Sequence, residues 1–237
     1  MANKFFDTGE LRARKVNDLF STIAPRYDLI NDLQSFGLHR FWKRALLRRA
    51  RVQPFERALD LCCGTGDIAF ALENAGGQIV GLDFSAPMLL VAQRRQPETH
   101  RRKLCWVRAD ALKLPFPDEK FDIVTISYGL RNLASWEQGL WEIRRVAKVG
   151  GRVLVLDFGQ PENLAWRALY FTYLQVVVPL FGKVFFADAD THSYILESLK
   201  HYPGQNAVAN KMKDLGFTET KIFNLLGGMM SINLGIK

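Results

Sequence analysis

The sequence predicts one α/β domain built on a mostly parallel sheet. Its 237 residues suit a single α/β domain with additional helices. The composition, 48% hydrophobic and 24% charged residues, is sufficient for a sizeable core. Short apolar runs alternate with helical stretches from residue 58 onward, which is the pattern of βαβ units.

Seven strands are predicted, each an apolar run that ends in a turn or a polar stretch. They cover residues 58–62, 78–84, 105–109, 121–128, 152–158, 218–225 and 231–237. The last two follow the alternating part of the chain, so we expect them to be antiparallel. The result is a Rossmann-like mixed sheet, with helices before it and a helical insertion before the sixth strand.

Residues 11–51 are predicted to be helical. Apolar side chains recur there at steps of three or four residues, and Gly37 separates this run from a second one over residues 39–51. We treat residues 1–237 as one domain, with residues 1–54 as a helical cap and residues 159–205 as the insertion.

The insertion contains a stretch at residues 164–187 whose apolar content approaches the ~20 apolar residues that a membrane span needs. Arg167, Gln175, Pro179 and Lys183 are spread along it, and charges in the middle of a span are costly. We therefore expect an exposed apolar helical region that faces the substrate or a membrane surface.

Charge and cysteine content restrict the partners and the compartment. Lys and Arg outnumber acidic residues by 32 to 24, and the resulting net charge of +8 favours an anionic membrane surface or a nucleic acid. The N-terminal residues lack the apolar run of a secretory signal, so a cytoplasmic location is expected. Cys62, Cys63 and Cys105 do not have the spacing of a disulfide framework or a metal site.

The strongest local signal is the segment from Asp60 to Asp67, DLCCGTGD, between the first strand and the next helix. Gly64 and Gly66 allow the backbone to approach a ligand at a helix N-terminus. A carboxylate at Asp83, at the end of the second strand, suits two ribose hydroxyls. Asp110 follows the third strand, where it can accept from an adenine amino group, and this combination is typical of small-molecule methyltransferases.

Other interpretations of these residues remain open. The glycines also fit an ordinary strand-to-helix turn, while Asp83 and Asp110 also fit helix-capping or turn roles. A dinucleotide-binding loop would have a third glycine where this chain has Ala69.

Longer motifs resemble the ubiquinone/menaquinone biosynthesis C-methyltransferase family over nearly the whole chain. They are FSTIAPRYDLIN (20–31), HRFWKR (39–44), LDLCCGTGD (59–67), ALKLPFPDEKFDIVTISYGLRNL (111–133), VGGRVLVLDF (149–158) and ADADTHSYILESLKHYPGQ (187–205). The resemblance implies a class I S-adenosylmethionine-dependent enzyme. No metal-binding cluster is visible in the sequence, so metal-dependent catalysis is not expected. It also implies cofactor contacts at Thr65, Asp83, Asp110, Ala111 and Ser127. Cys62 replaces the first glycine of the general methyltransferase pattern, but the family commonly has a small residue at that place, so cofactor binding is expected to survive.

The resemblance further implies methylation of a ring carbon in a prenylated naphthoquinol. Loss of the hydroxyl proton beside the bare carbon makes that carbon nucleophilic, but a phenol with a pKa near 10 needs assistance. Arg131 follows the fourth strand, where it could lower the pKa of the phenol and hold a water that takes the proton. Asn132 is the predicted orienting residue. Tyr194 and His201 are expected to close over the ring. A surface salt bridge for Arg131 and an exposed His201 are the alternatives.

The paired cysteines resemble the cyanobacterial and plastid branch that makes phylloquinone, so demethylphylloquinol is the expected substrate. Demethylmenaquinol and a ubiquinone precursor are alternatives with the same chemistry. Peripheral contact with an anionic membrane is expected because the substrate tail lies in a bilayer. RNA methylation, nucleic-acid binding and a non-catalytic binding protein are less favoured, since the chain has no evident RNA-binding module and retains the cofactor residues.

Overall fold

The computed structural model describes residues 18, 20–98, 103–177, 180, 198–199 and 202–237. They form a seven-stranded sheet with helices packed on both faces. The strands are β1 (Arg57–Leu61), β2 (Gln78–Asp83), β3 (Leu104–Arg108), β4 (Phe121–Ser127), β5 (Ala147–Phe158), β6 (Glu219–Leu225) and β7 (Met230–Ile236). The helices are α1 (Tyr27–Ser35), α2 (Leu38–Ala50), α3 (Asp67–Asn74), α4 (Ala86–Arg95), α5 (Trp136–Val146), α6 (Leu164–Thr172) and α7 (Gly204–Asp214).

The strand order is β3-β2-β1-β4-β5-β7-β6. Strands β1 to β5 run parallel, whereas β7 is antiparallel to both β5 and β6. This confirms the predicted mixed sheet. Because β1 lies between β2 and β4, the chain order reverses there, and the carboxyl ends of these strands border the crevice where open α/β sheets bind ligands.

The predicted strand boundaries lie within about one residue of the observed ones, except in β5. That strand begins at Ala147 rather than at Arg152. Phe121 pairs with Ala147 and Ile123 with Arg152, so a bulge in β5 takes up the intervening residues. Val149 is exposed and two glycines follow it, so this part of the strand has no apolar pattern to reveal it.

Two apolar clusters fill the space between the sheet and its helices. On one face, α5 and α7 contribute Leu140, Ile143 and Met212, which are fully buried. On the other face, α2 and α3 contribute Leu46 and Leu72, also fully buried. The sheet is therefore covered on both sides, which explains why its central strands are continuous apolar runs.

The N-terminal helices turn sharply at Phe36 and Gly37, which both have left-handed backbone angles (φ +50° and +74°). The predicted separation at Gly37 is confirmed. A 3-10 turn at Ala24–Arg26, which contains Pro25, interrupts the helical run before α1 because proline cannot donate a backbone hydrogen bond. The Tyr173 hydroxyl donates to the Gln34 carbonyl (2.7 Å), which joins the segment after α6 to the end of α1.

Helix α6 continues into a π-helical turn at Tyr173–Val177. Most of the predicted insertion beyond this turn lies outside the described residues. Among the helices that the structure describes, none combines the length and the apolar character that crossing a membrane requires.

Candidate functional site

The glycine loop follows β1 at the switch point of the sheet. Cys62, Gly64 and Gly66 all have positive φ angles, of +55°, +54° and +91°. A Cβ atom on Gly66 would lie 2.6 Å from the Trp106 ring, so glycine is needed there for space as well as for conformation. Cys62 adopts a left-handed conformation that glycine adopts without strain, which explains the glycine of the general pattern.

Gly129 provides the room that Cys62 needs. A Cβ atom on Gly129 would lie 2.5 Å from the Cβ of Cys62 and 2.8 Å from its Sγ. The cysteine is therefore accommodated by the glycine of the SYGLRN motif, two residues after β4. The loop therefore carries a side chain at the first position of the pattern without a clash with the segment after β4.

Asp83 links the glycine loop to the end of β2. Its Oδ2 accepts from the Gly64 N–H (2.8 Å) and its Oδ1 accepts from the Ser85 N–H (2.9 Å). Burial raises the pKa of this carboxyl, while the backbone hydrogen bonds oppose that shift. Each oxygen has further acceptor capacity, so a pair of ribose hydroxyls can bind the same carboxylate.

Asp110 follows β3, and its carboxylate stabilises the turn that comes directly after it. Its Oδ1 accepts from the Leu112 N–H (2.8 Å), so the alternative turn role is present. The residue also lines the cavity described below, beside Ala111. The turn therefore fixes the carboxylate at the cavity wall, and the predicted adenine contact is compatible with it.

A cavity of about 320 Å³, here called the cofactor cavity, lies above the carboxyl ends of β1 to β4. Predicted cofactor residues that line it are Gly64, Asp83, Asp110, Ala111 and Ser127. The buried Ser127 Oγ has no hydrogen-bond partner among the described residues. A buried hydroxyl without a partner is costly, so the wall fits a ligand with polar groups.

Asp60 and Thr65 lie behind this wall and are not among its lining residues. The Thr125 hydroxyl donates to Asp60 Oδ1 (2.8 Å), and burial raises the pKa of Asp60 to about 7. Thr65 is buried, and its hydroxyl donates to Asp28 Oδ1 (2.9 Å). Together with Gly66 these residues support the loop, and their direct contact with a cofactor stays a prediction.

Ion pairs hold α1 against the glycine loop. Arg95 donates to Asp28 Oδ2 (2.9 Å), to the Thr65 carbonyl (3.0 Å) and to Asp67 Oδ1 (2.7 Å). Lys43 of α2 donates to the other oxygen of Asp67 (2.8 Å). The loop, α1, α2 and α4 are thereby joined, with Tyr27 of α1 at the edge of the cofactor cavity.

A second cavity, here called the apolar cavity, adjoins the first and has a volume of about 270 Å³. Phe20, Tyr27 and Tyr128 line both cavities. Other residues along the apolar cavity are Ile30, Phe36, Leu38, His39, Trp42, Arg131, Phe158, Tyr170, Leu174 and Leu226. Most of these side chains are aromatic or aliphatic, so the cavity suits an apolar ring and a hydrocarbon chain.

Arg131 is a buried cation at the wall of the apolar cavity. Its Nη1 donates to Asp157 Oδ1 (2.7 Å) and to the Tyr128 carbonyl (2.7 Å), and its backbone N–H donates to Asp157 Oδ2 (3.2 Å). The guanidinium lies 4.6 Å from the centre of the Phe158 ring. Because only 7% of Arg131 is exposed, the surface salt bridge considered from the sequence is wrong.

Asn132 lines the cofactor cavity, and its Nδ2 donates to the Tyr128 carbonyl (3.0 Å). Tyr194 and His201 lie outside the described residues, and their predicted roles are not tested. Among the residues that the structure describes, no cluster of His, Cys, Asp or Glu could hold a metal ion.

Sequence reasoning missed residues at the junction of the cavities. Tyr128 was part of the SYGLRN motif, but no role followed from the motif alone. His39 was left unassigned; it lies buried in the apolar cavity, and its Nδ1 is 2.9 Å from the Ser35 hydroxyl. Asp157 lies in a strand that reads as apolar, so its contact with Arg131 required the pairing of β4 with β5.

The fold and the site define an S-adenosylmethionine-dependent methyltransferase. The SAM-dependent methyltransferase of Thermotoga maritima, a solved structure, has the same fold: the TM-score is 0.63 at 20% identity, covering 92% of this chain and 98% of that chain. The model of the ubiE/COQ5 methyltransferase family matches residues 8–237, and the chain belongs to this family.

Relatives match over nearly their full length. The demethylmenaquinone methyltransferase of Alkalihalophilus pseudofirmus is 37% identical over 231 residues, which is 96% of this chain and 98% of the relative. The ubiquinone/menaquinone biosynthesis C-methyltransferase UbiE of Ectopseudomonas mendocina is 41% identical over 230 residues, covering 95% and 90%. The family resemblance seen in the sequence motifs is confirmed.

Proposed function

We propose that this enzyme methylates a ring carbon of a prenylated naphthoquinol, with demethylphylloquinol as the preferred substrate. The observation that carries the proposal is the apolar cavity, which meets the cofactor cavity at Tyr27 and Tyr128. An aromatic ring at this junction would lie against the end of the cofactor that carries the methyl group. The names of the relatives support a quinone-type substrate.

The apolar cavity also accounts for a hydrocarbon tail. Phe36 and Leu226 line it, yet 68% of Phe36 and 45% of Leu226 are exposed. The cavity therefore reaches the surface beside these side chains. A tail attached to the ring can leave the protein there without burying polar groups.

The reduced quinol, and not the quinone, is the proposed substrate. S-adenosylmethionine supplies an electrophilic methyl group on a sulfonium centre. The quinol becomes a carbon nucleophile when it loses the proton of the hydroxyl beside the bare position, whereas a quinone is electron-poor at that carbon. As the ring carbon bonds to the methyl group, the methyl–sulfur bond would break and S-adenosylhomocysteine would leave. The ring carbon would then lose its hydrogen as a proton, which restores the aromatic quinol. The enzyme must therefore bind the ring, exclude water and stabilise charge on the ring oxygen.

Arg131 is the proposed source of positive charge near that oxygen. Its pairing with Asp157 fixes the guanidinium, and its position in the wall of the apolar cavity brings it near the ring. Asn132 orients the same segment through the Tyr128 carbonyl. Tyr194 and His201 are proposed to close over the ring.

Peripheral contact with an anionic membrane would deliver the tail. Phe36, Leu38 and Phe41, at the turn between α1 and α2, have 68%, 40% and 50% of their area exposed. Arg44 and Arg48 are exposed on α2. Apolar insertion together with basic charge is the pair of signals that reversible membrane binding uses.

Demethylmenaquinol and a ubiquinone precursor remain the alternative substrates, and they differ in ring or tail rather than in chemistry. An anaerobic turnover panel with labelled S-adenosylmethionine separates them. We expect 2-phytyl-1,4-naphthoquinol to have the highest kcat/KM and its oxidised form to be inert. A higher value for a prenylated benzoquinol would transfer the assignment to ubiquinone synthesis, and equal rates without reductant would contradict the quinol mechanism.

A further inference from the structure

Tyr128 lies where the two cavities meet. It directly follows β4 and lines both the cofactor cavity and the apolar cavity. Its φ angle is +58°, a conformation that is uncommon for a bulky side chain. Backbone strain of this kind is concentrated at functional sites, which makes Tyr128 a candidate for a functional role.

The strained backbone of Tyr128 is held on both sides. Its N–H donates to the Leu156 carbonyl in β5 (2.8 Å). Its own carbonyl accepts from Arg131 Nη1 (2.7 Å) and from Asn132 Nδ2 (3.0 Å). Two of the residues predicted to act in catalysis thus orient Tyr128 through its carbonyl oxygen.

The Tyr128 hydroxyl is a buried hydrogen-bond donor. It has no hydrogen-bond partner among the described residues. The edge-to-face contact with Phe158, with ring centres 6.1 Å apart, restricts movement of the ring. Burial raises the pKa of Tyr128, so the phenol keeps its proton and is a donor at neutral pH.

We propose that the Tyr128 hydroxyl touches the substrate and donates a hydrogen bond to a ring oxygen of the bound quinol. The inference rests on the proposed function and adds a catalytic residue to it. As the quinol loses its proton, this oxygen gains negative charge, and a fixed donor stabilises it more strongly than it stabilises the neutral hydroxyl. Tyr128 would then lower the barrier to methyl transfer.

Tyr128→Phe tests the proposal because it removes the hydroxyl and keeps the ring. We expect kcat to fall about 100-fold, at the lower end of the range of about 100- to 1000-fold seen when one donor to a developing oxyanion is removed. Affinity for S-adenosylmethionine and the melting temperature should stay at the wild-type values. Tyr202→Phe is the matched control, since Tyr202 is buried in the core and is not among the residues lining either cavity; its kcat should stay within twofold of wild type.

Binding of the 2-hydroxy-1,4-naphthoquinone anion, measured without turnover, separates this inference from the proposed function. We expect Tyr128→Phe to bind it about tenfold more weakly than wild type. Equal affinities, or a kcat of Tyr128→Phe within twofold of wild type, would overturn the role of Tyr128. If the wild type binds the anion through Tyr128 but methylates no quinol, the proposed function alone fails. If the wild type does not bind the anion, both fail.

Discussion

Replacing Asp83 by Asn should weaken cofactor binding while leaving the protein folded. The wild-type carboxylate accepts two backbone N–H groups, from Gly64 at 2.8 Å and from Ser85 at 2.9 Å. The amide presents one oxygen and one NH₂ group, so one of these donors would face another donor. The ribose hydroxyls would at the same time lose a charged acceptor.

The two losses appear in different measurements. A hydrogen bond to a charged group contributes about 1.5–3 kcal/mol, so affinity for S-adenosylmethionine should fall about 10- to 100-fold. The unfolding free energy of the ligand-free protein should fall by only about 1–2 kcal/mol. Part of the loss is offset because burial already raises the pKa of Asp83 and disfavours its charge.

Calorimetric titration measures the affinity, and Asp122→Asn is the matched control. Asp122 also accepts a backbone N–H, from Arg57 at 3.0 Å, together with Lys148 Nζ at 2.6 Å. It lies near the start of β4, at the opposite end from the cofactor cavity. Asp122→Asn should keep wild-type affinity. Wild-type affinity in Asp83→Asn would refute the ribose assignment.

Other perturbations test further parts of the account. Arg131→Met leaves Asp157 buried without its cation and should cost about 3–5 kcal/mol in urea unfolding; an unchanged midpoint would contradict the pairing. Burial raises the pKa of Asp60 from 3.8 to about 7, so the contribution of Asp60 to the unfolding free energy should fall as pH rises through this interval, by about 1.4 kcal/mol for each pH unit. Asp60→Asn should not show that fall. Parallel curves of unfolding free energy against pH for the two proteins would contradict the raised pKa of Asp60. Phe36→Asp combined with Phe41→Asp should reduce flotation with anionic liposomes, and undiminished flotation would remove this turn from the membrane contact.

The liposome experiment has its own control. Phe55 is 81% exposed, but it lies before β1, at the opposite end of that strand from the cofactor cavity. Phe55→Asp should float as the wild type does. If Phe55→Asp lost as much flotation as the double variant, exposed apolar side chains anywhere on the surface, rather than the turn between α1 and α2, would drive the association.

The fold was predictable because each element carries a local signal. Alternating apolar runs and turns located the strands, and the glycine pattern located the loop after β1. The start of β5 was missed because Val149 and Gly150 are exposed and lie in the bulge, where no apolar pattern marks the strand. There, pairing with β4 rather than burial of side chains determines the strand.

The candidate site was only partly predictable, for a physical reason. Asp83 and Asp110 lie at strand ends, and parallel topology brings those ends together. The pairing of Arg131 with Asp157 depends on contact between residues that are 26 positions apart. The orientation of Tyr128 likewise depends on β5 and on side chains that follow it in the chain, so the motif could be recognised while its use was not.

The position of the transferred methyl group tests the central claim most directly. The enzyme is incubated anaerobically with reduced 2-phytyl-1,4-naphthoquinol and S-adenosylmethionine carrying a ¹³C-labelled methyl group, and the product is examined by carbon NMR. Methylation by a carbon nucleophile predicts one labelled methyl bonded to the ring carbon beside the phytyl chain. A labelled methyl bonded to a ring oxygen, or no labelled quinone product, would contradict the account.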